Sequence, residues 1–320
     1  MTTEPLINGV TAAVVGVSDR QAHLDLYRDR LGFEVVADGT VDRATASRLW
    51  GDGLPDLPVT VLAAAGAPGG RIALIEVDVQ GAATHPHITD LGLMGIDVYT
   101  RDIQATHQDL VAAGHPWLTP PSTYDVPLGE GRVTVTEGIC LAPDGTDLVF
   151  VQPANPRGTE AWAVDPDRRY TELTSVVCHV PDVDGEVSFW GPSGLGLEVW
   201  YDVTFTAPGL DRMADLAAGS RLRLAFLAGP TTARIEITSV VDGAHGADRR
   251  ASQRPGRSLG HSGWLARTRD LDTALRQAGD HGAQRVVGPV PTADPLFGAG
   301  RAASMVTPNG VSLTLYEPGP

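Results

Sequence analysis

The chain has 320 residues, 42% of them hydrophobic, and a formal net charge of −15 at pH 7. This charge argues against nucleic acid and anionic membrane surfaces as partners, because both require basic patches. No apolar stretch approaches the roughly 18 residues that cross a bilayer, so the composition predicts a soluble globular protein of about two domains.

The absence of lysine and the small number of cysteines limit the possible reaction mechanisms and cellular compartments. All 24 basic residues are arginine, which excludes mechanisms that need a lysine Schiff base or a lysine general base. The two cysteines, Cys140 and Cys178, cannot build a disulfide framework and are interpreted as small buried strand residues. Because the N-terminal segment lacks the basic region and apolar run of a secretory signal, we expect a cytoplasmic protein.

A short apolar strand that ends in aspartate and leads into an amphipathic helix recurs four times along the chain. The four aspartates are Asp19, Asp102, Asp182 and Asp270, spaced by 83, 80 and 88 residues. Self-similarity at a nearly constant spacing predicts an internal repeat of one structural unit. Each unit is predicted as a strand, a helix and three further strands.

The first unit shows the predicted elements most clearly. Residues 10–17 form a β-branched strand pattern, and residues 18–21 have capping-box spacing before a helix that ends at Gly32. Turn residues separate the strand candidates that follow. These candidates are residues 34–37, 46–50, 58–64 and 71–77.

The second half of the chain repeats the first at an offset of about 165 residues, which indicates a tandem duplication. Thus PDGTDLVFVQP at 143–153 returns as PNGVSLTLYEP at 308–318. The polar segment 154–169 between the halves carries two prolines and is interpreted as a linker. We therefore expect one domain in residues 1–153 (units one and two) and another in 170–320 (units three and four). Exchange of units between halves or subunits stays open.

These units resemble the βαβββ module of the vicinal oxygen chelate superfamily, which includes glyoxalase I, bleomycin-resistance proteins and extradiol dioxygenases. The best single stretch is 263–318, and the likeness covers nearly the whole chain. The resemblance implies an α+β fold in which four βαβββ modules form two glyoxalase-like domains with U-shaped mixed sheets. A small-molecule ligand would lie in the resulting trough, and a homodimer is compatible with the family.

Members that use metal take ligands from the first and last strands of each module, which converge on one divalent ion. The equivalent positions in this chain are Ala12, Ala73, Gly95 and Val149 in the first half, and Ser175, Glu236, Gly263 and Thr314 in the second. Since only Glu236 among them is a metal ligand by type, the resemblance predicts a metal-independent protein without a cofactor. A shifted register, in which His179 and His261 join Glu236, would instead allow metal-dependent dioxygenase or isomerase chemistry.

Side-chain alternation along the strands predicts the residues that face the troughs, because residues two apart share a face. Glu236 is interpreted as a catalytic acid or base with His179 as the second catalytic residue, or Ser175 as its hydrogen-bond partner. The alternative for Glu236 is a buried ion pair with Arg234 or Arg267. The predicted substrate-binding residues are Ser175, Arg234, Arg267, Thr314, Tyr316, Phe297, Trp200, Asp97, Tyr99 and Trp50.

Other histidines are interpreted without a function. His85 and His87 lie in the connection between two units and lack partners at metal-ligand spacing, so we expect exposed loop residues.

Two classes of function remain open on this sequence. The first is a metal-independent enzyme of bacterial secondary metabolism, such as antibiotic biosynthesis, because four-module, metal-poor members of the superfamily resemble such tailoring factors. It would act on a polyketide-like or aromatic small molecule by proton transfer, isomerisation, cyclisation or assistance to an oxidation. The second is a non-catalytic protein that binds a drug or metabolite, as bleomycin-resistance proteins do. Glu236→Gln separates the two, since only an enzyme should lose rate.

Overall fold

The computed structural model describes residues 4–79, 83–155, 158–231 and 233–319, and these form four similar modules. The first contains β1 (Ala12–Val17), α1 (Arg20–Leu24) with a π-helical turn (Asp25–Arg30), β2 (Glu34–Val41), α2 (Arg43–Trp50), β3 (Leu57–Ala63) and β4 (Arg71–Glu76). The second contains β5 (Gly92–Thr100), α3 (Ile103–Ala112), β6 (Ser122–Leu128), β7 (Gly131–Ala142) and β8 (Thr146–Pro153).

After α4 (Glu160–Val164) the pattern returns. The third module contains β9 (Tyr170–His179), α5 (Val183–Trp190), β10 (Glu198–Phe205), α6 (Pro208–Met213), β11 (Leu222–Ala228) and β12 (Arg234–Val240). The fourth contains β13 (Gly260–Arg267), α7 (Leu271–Asp280), β14 (Gln284–Asp294), β15 (Gly298–Val306) and β16 (Ser312–Pro318). No helix in the described ranges is long and apolar enough to cross a membrane.

The repeated aspartate is the N-cap of the helix that follows it in every module. The caps and the backbone amides that they accept from are Asp19 with Gln21 and Ala22, Asp102 with Ala105, Asp182 with Gly185, and Asp270 with Thr273. A carboxylate at this position accepts hydrogen bonds from backbone amides that have no partner within the helix. Its negative charge also interacts favourably with the positive end of the helix dipole. In the first module the cap is therefore Asp19 and not Ser18, whose hydroxyl donates to Asp144.

The strands form two mixed eight-stranded sheets. Sheet I has the order β14-β15-β16-β13-β1-β4-β3-β2, and Sheet II has the order β10-β11-β12-β9-β5-β8-β7-β6. Sheet I thus joins modules one and four through the antiparallel pair β1 and β13, and Sheet II joins modules two and three through β5 and β9. The fold is α+β, with two glyoxalase-like domains of two βαβββ modules each.

The expected pairing of modules within each half is therefore wrong. Every module pairs with another module through its first strand, and the four first strands have similar sequence patterns. The local pattern is therefore compatible with pairing within a half and with pairing between the halves. The division of the sequence at 1–153, 154–169 and 170–320 stays a prediction. Residues 1–3, 80–82, 156–157, 232 and 320 within it lie outside the described ranges.

Residues 46–50, predicted as a strand, are instead the second half of α2. Asp42 caps this helix by accepting the amides of Ala44 and Thr45. Ala46, Leu49 and Trp50 follow helical spacing and are buried on the concave face of Sheet I. Helical periodicity in a short segment thus outweighs its strand-like composition.

Alternation along the strands divides the apolar residues between two sides of each sheet. On β1, Ala13 and Val15 join a central core that also receives the helices, whereas Ala12 and Val14 face the concave side. Cys140 and Cys178 lie in the central core as free, buried thiols, which confirms their interpretation. The two concave faces remain as the positions for binding sites.

Candidate functional site

The concave face of Sheet II surrounds an open cavity with a volume of about 250 Å³. The predicted substrate-binding or catalytic residues that line it are Glu236, Ser175, Arg234, Trp200, Asp97 and Tyr99. They come from both halves of the sequence because modules two and three share this sheet. The remaining walls are mainly apolar or aromatic.

Strand register explains why the polar residues meet. Arg234, Ser175 and Asp97 lie in one row across β12, β9 and β5, and Glu236 lies one step further along β12, opposite Val177. Adjacent strands are about 4.8 Å apart. Ser175, which lies between Arg234 and Asp97 in this row, is short and buried.

Asp97 and Glu236 form a hydrogen-bonded carboxyl pair. Burial raises the pKa of Asp97 well above its ordinary value, and the nearby charge of Glu236 adds to this rise. Burial also raises the pKa of Glu236, although the hydrogen bond from Asp97 and the charge of Arg234 oppose the rise. The larger rise belongs to Asp97, so Asp97 holds its proton more strongly and is the donor in the hydrogen bond to Glu236.

A further carboxyl group in the cavity, that of Glu137 on β7, accepts a hydrogen bond from the hydroxyl of Tyr124 on β6. Burial raises the pKa of Glu137 to about 7, against the lowering effect of Tyr124. Sequence reasoning missed both residues because it followed only the first and last strands of each module. Glu137 does interrupt the alternating apolar run Val133, Val135 and Ile139, and that signal was available.

Arg234 is the cation of the cavity wall. Its guanidinium lies 4.5 Å from the ring centroid of Phe226 and 4.9 Å from that of Trp200, and its Nη2 donates to the hydroxyl of Tyr99 at 2.9 Å. The charge of Arg234 lowers the pKa of Glu236, so the interpretation of Glu236 as the partner of Arg234 in a buried ion pair stays a prediction. Stacking on two rings holds this cation.

Three buried polar atoms of the cavity wall have no hydrogen-bond partner in the structure. They are Oδ1 of Asp97, Nε of Arg234 and the hydroxyl of Tyr201. Buried polar groups are almost always paired, so these three atoms are available to a polar ligand in the cavity.

The other predicted binding residues lie in Sheet I, whose concave face carries a cluster of buried apolar side chains. Nε1 of Trp50 donates to Oγ1 of Thr314 at 3.1 Å, and the ring of Phe297 packs between Trp50 and Tyr316. All four side chains are buried in the apolar cluster that fills the concave face. Arg267 on β13 is exposed. The structure therefore does not bring these five residues to the cavity.

His179 lies at the end of β9, outside the cavity lining. It is fully buried, with Nδ1 at 3.0 Å from Oγ1 of Thr238 and Nε2 at 3.3 Å from Nδ1 of His245. Burial and the charge of His245 lower its pKa to about 4. The structure therefore gives Glu236 a different partner, Asp97, and the catalytic role of His179 stays a prediction.

The interpretation of His85 and His87 as exposed loop residues without partners is wrong. Both are half-buried, and Nδ1 of His85 lies 2.6 Å from Oδ1 of Asp147, a buried residue of the cavity wall. Nδ1 of His87 lies 2.8 Å from Oγ1 of Thr89. The connection between modules folds back against Sheet II, which spacing along the sequence does not reveal.

The donor set does not fit the divalent ion of metal-using relatives. In Sheet II the ligand-equivalent positions are Gly95, Val149, Ser175 and Glu236, and in Sheet I they are Ala12, Ala73, Gly263 and Thr314. Within the described ranges no three His, Cys, Asp or Glu side chains are arranged to hold a metal ion. His261, the remaining member of the shifted ligand set, lies on Sheet I with Nε2 occupied by Trp264.

Comparison with known proteins agrees with this geometry. The model of the Glyoxalase/Bleomycin resistance protein/Dioxygenase superfamily matches residues 9–150. The whole fold superposes on glyoxalase I from Zea mays with a TM-score of 0.60 and 15% identity, covering 97% of this chain and 92% of that one. The first part of the chain therefore matches this superfamily by sequence, and the whole chain shares the fold of glyoxalase I.

A second solved structure, a dioxygenase candidate from Bacillus subtilis, superposes with a TM-score of 0.61 and 13% identity, covering 99% of this chain and 87% of that one. No curated protein sequence matches the chain significantly. At such identities the superfamily likeness describes the fold and not the reaction.

Proposed function

We propose that this protein is a metal-independent enzyme that transfers a proton on an aromatic or polyketide-like small molecule bound in the Sheet II cavity. The observation that carries the proposal is the pair of carboxyl groups, Asp97 and Glu236, inside an aromatic wall. Glu236 would be the base, because it accepts the hydrogen bond within the pair. Asp97 would hold the orientation and charge of that base.

The walls favour an aromatic or similarly flat, apolar ligand. Tyr99, Tyr201, Phe226 and Trp200 supply ring surfaces around the carboxyl groups. Arg234, held by two of those rings, supports binding of an oxygen on which negative charge develops after proton removal. A role in bacterial secondary metabolism, in the cytoplasm, as a monomer or homodimer, completes this proposal.

The test is deuterium exchange into 2-tetralone, an aromatic ketone with exchangeable α-hydrogens, followed by mass spectrometry in D₂O. We expect the protein to accelerate exchange and Glu236→Gln to reduce that acceleration at least about 100-fold, as loss of a general base does. Glu198→Gln, an exposed change on β10 of the same sheet, is the matched control. Undiminished exchange in Glu236→Gln would contradict the proposal.

The second candidate is a binding protein without chemistry. The apolar length of the β6 and β7 hairpin favours it, because Val126, Leu128, Val133 and Val135 can supply affinity by burial alone. For this function, Glu236→Gln would keep ligand affinity, measured by quenching of tryptophan fluorescence, and the wild-type protein would return every bound molecule unchanged.

A further inference from the structure

Two of the carboxyl groups that line the Sheet II cavity, Glu236 and Glu137, lie on opposite walls. Glu236 is on β12 and Glu137 is on β7, with β9, β5 and β8 between them in the sheet. The sheet curls until its edge strands β6 and β10 contact each other, which brings these walls face to face. Tyr124 of β6 accordingly packs in one apolar cluster with Tyr201 and Phe205 of β10.

The two sites are close enough to influence each other but are bonded to different partners. The charge of Glu236 contributes to the raised pKa of Glu137, while Glu236 itself pairs with Asp97 and Glu137 with Tyr124. A molecule in the cavity would therefore meet one carboxyl group on each side. Two titratable groups held in different environments are the arrangement that separates a base from an acid.

We propose that Glu137, oriented by Tyr124, is a second catalytic group, and that the cavity catalyses a 1,3-proton shift in an enolisable, unsaturated carbonyl compound. This inference rests on the proposed function, because it takes Glu236 as the base. It adds a residue, a reaction class and a substrate class to it.

The step balances without an oxidant or a second reactant. The Glu236 carboxylate takes a proton from the carbon next to the carbonyl, so a C–H bond breaks, an O–H bond forms, and the electron pair enters the conjugated enolate. The enolate oxygen faces Arg234. Glu137 then donates its proton to the far carbon of the unsaturated system, where a new C–H bond forms and the double bond moves into conjugation. Solvent at the open mouth of the cavity returns Glu236 and Glu137 to their starting protonation states.

Protonation at neutral pH agrees with these roles. Burial places the pKa of Glu137 at about 7, so an appreciable fraction carries the proton that the acid role needs. The titratable groups that interact with Glu137 are Tyr124 from β6, Asp97 from β5 and Glu236 from β12, while Arg234 from β12 and Asp147 from β8 line the same cavity. Tyr124 is a positioning residue, because its hydroxyl contacts Glu137 and lowers the pKa of that group.

Allyl phenyl ketone is the probe that separates this inference from the proposed function. Deuterium uptake at its α-carbon in D₂O needs only the base, whereas conversion to the conjugated enone, followed by ultraviolet absorbance, needs both groups. We expect the wild-type protein to accelerate both. No accelerated exchange would overturn the proposed function and the inference together, and exchange without isomerisation would overturn only the inference.

Variants of the hairpin assign the acid. Glu137→Gln should slow isomerisation at least about 100-fold while slowing α-exchange far less. Glu130→Gln, the same chemical change at the exposed turn of this hairpin, is the matched control. Glu137→Asp keeps a carboxyl group and shows partial activity if folding of the Gln variant fails. Isomerisation in Glu137→Gln at the wild-type rate would overturn the inference.

The pH dependence of isomerisation in Tyr124→Phe tests the positioning role, because a merely structural role of Tyr124 would leave this pH dependence unchanged. In the wild type, isomerisation should decline as the pH rises through about 7, because Glu137 loses its proton there. Without the hydroxyl of Tyr124 the pKa of Glu137 rises, so the decline should move to higher pH. An unchanged pH profile, in a variant that folds normally by circular dichroism, would contradict the positioning role.

Discussion

The two concave faces of this protein are built from similar modules, but one is filled with packed side chains and the other surrounds an open cavity. In Sheet I, α2 brings Trp50 onto the face, where it meets Thr314 and Phe297 and closes the trough with packed side chains. In Sheet II, Trp200 remains 47% exposed at the mouth, and carboxyl groups occupy the interior. The difference indicates that a duplicated architecture can devote one trough to stability and the other to binding.

The largest expected effect compares the two tryptophans. Trp50→Ala should lower the free energy of unfolding by about 3 to 5 kcal/mol, because it removes a buried indole and leaves a cavity. Trp200→Ala should cost less than about 1 kcal/mol, because half of its side chain is already in solvent, but should weaken ligand binding. Urea unfolding of both variants measures this, and equal losses would remove the distinction between the troughs.

The next effect belongs to Sheet II alone and depends on pH. The pKa of Glu137 is about 7 in the folded protein and 4.5 without burial, so between these values the folded state binds more protons than the unfolded state. The contribution of Glu137 to the free energy of unfolding should therefore be complete below pH 4.5 and should decrease as the pH rises toward 7.

For Glu137 this loss is on the order of 2 kcal/mol after allowance for its partial exposure. Urea unfolding at pH 5 and pH 7.5 measures it, and Glu137→Gln should reduce the difference. Asp97 and Glu236 act in the same direction, since burial raises the pKa of both. A wild-type protein that gains stability over this range would contradict the assignment.

A smaller effect should follow from Thr314→Val in Sheet I. The change keeps the volume but removes the hydroxyl that accepts from Nε1 of Trp50, so a buried donor is left unpaired at a cost of about 1 kcal/mol or more. Thr204→Val, an exposed change on β10, is the control and should be nearly neutral. Equal thermal unfolding midpoints for Thr314→Val and the wild type would show that the hydrogen bond contributes nothing.

The sequence predicts the local structure of each module well. The aspartates that mark the repeat are the helix N-caps, and alternation places Asp97, Arg234 and Glu236 on the concave side. Both signals depend only on neighbouring residues and backbone geometry.

The composition of the site was less predictable, because it depends on contacts between distant segments. Asp97 and Glu236 come together only when module two pairs with module three, and no local pattern distinguishes that pairing. Glu137 and Tyr124 lie on β7 and β6, the middle strands of module two. The metal-ligand positions of the superfamily lie on the first and last strands of each module, so they do not point to these two residues. The contact of His85 with Asp147 depends on how an irregular connection folds back.

The pairing of the sheets also bears on how the chain assembles. All strands of Sheet II lie in one continuous stretch, from Gly92 to Val240, whereas Sheet I needs β1 to β4 and β13 to β16 from either side of it. The cavity-bearing unit is thus an insertion within the other. During synthesis its strands are complete before the last module of Sheet I leaves the ribosome, so we expect the binding unit to fold first and to hold the early strands until their late partners arrive.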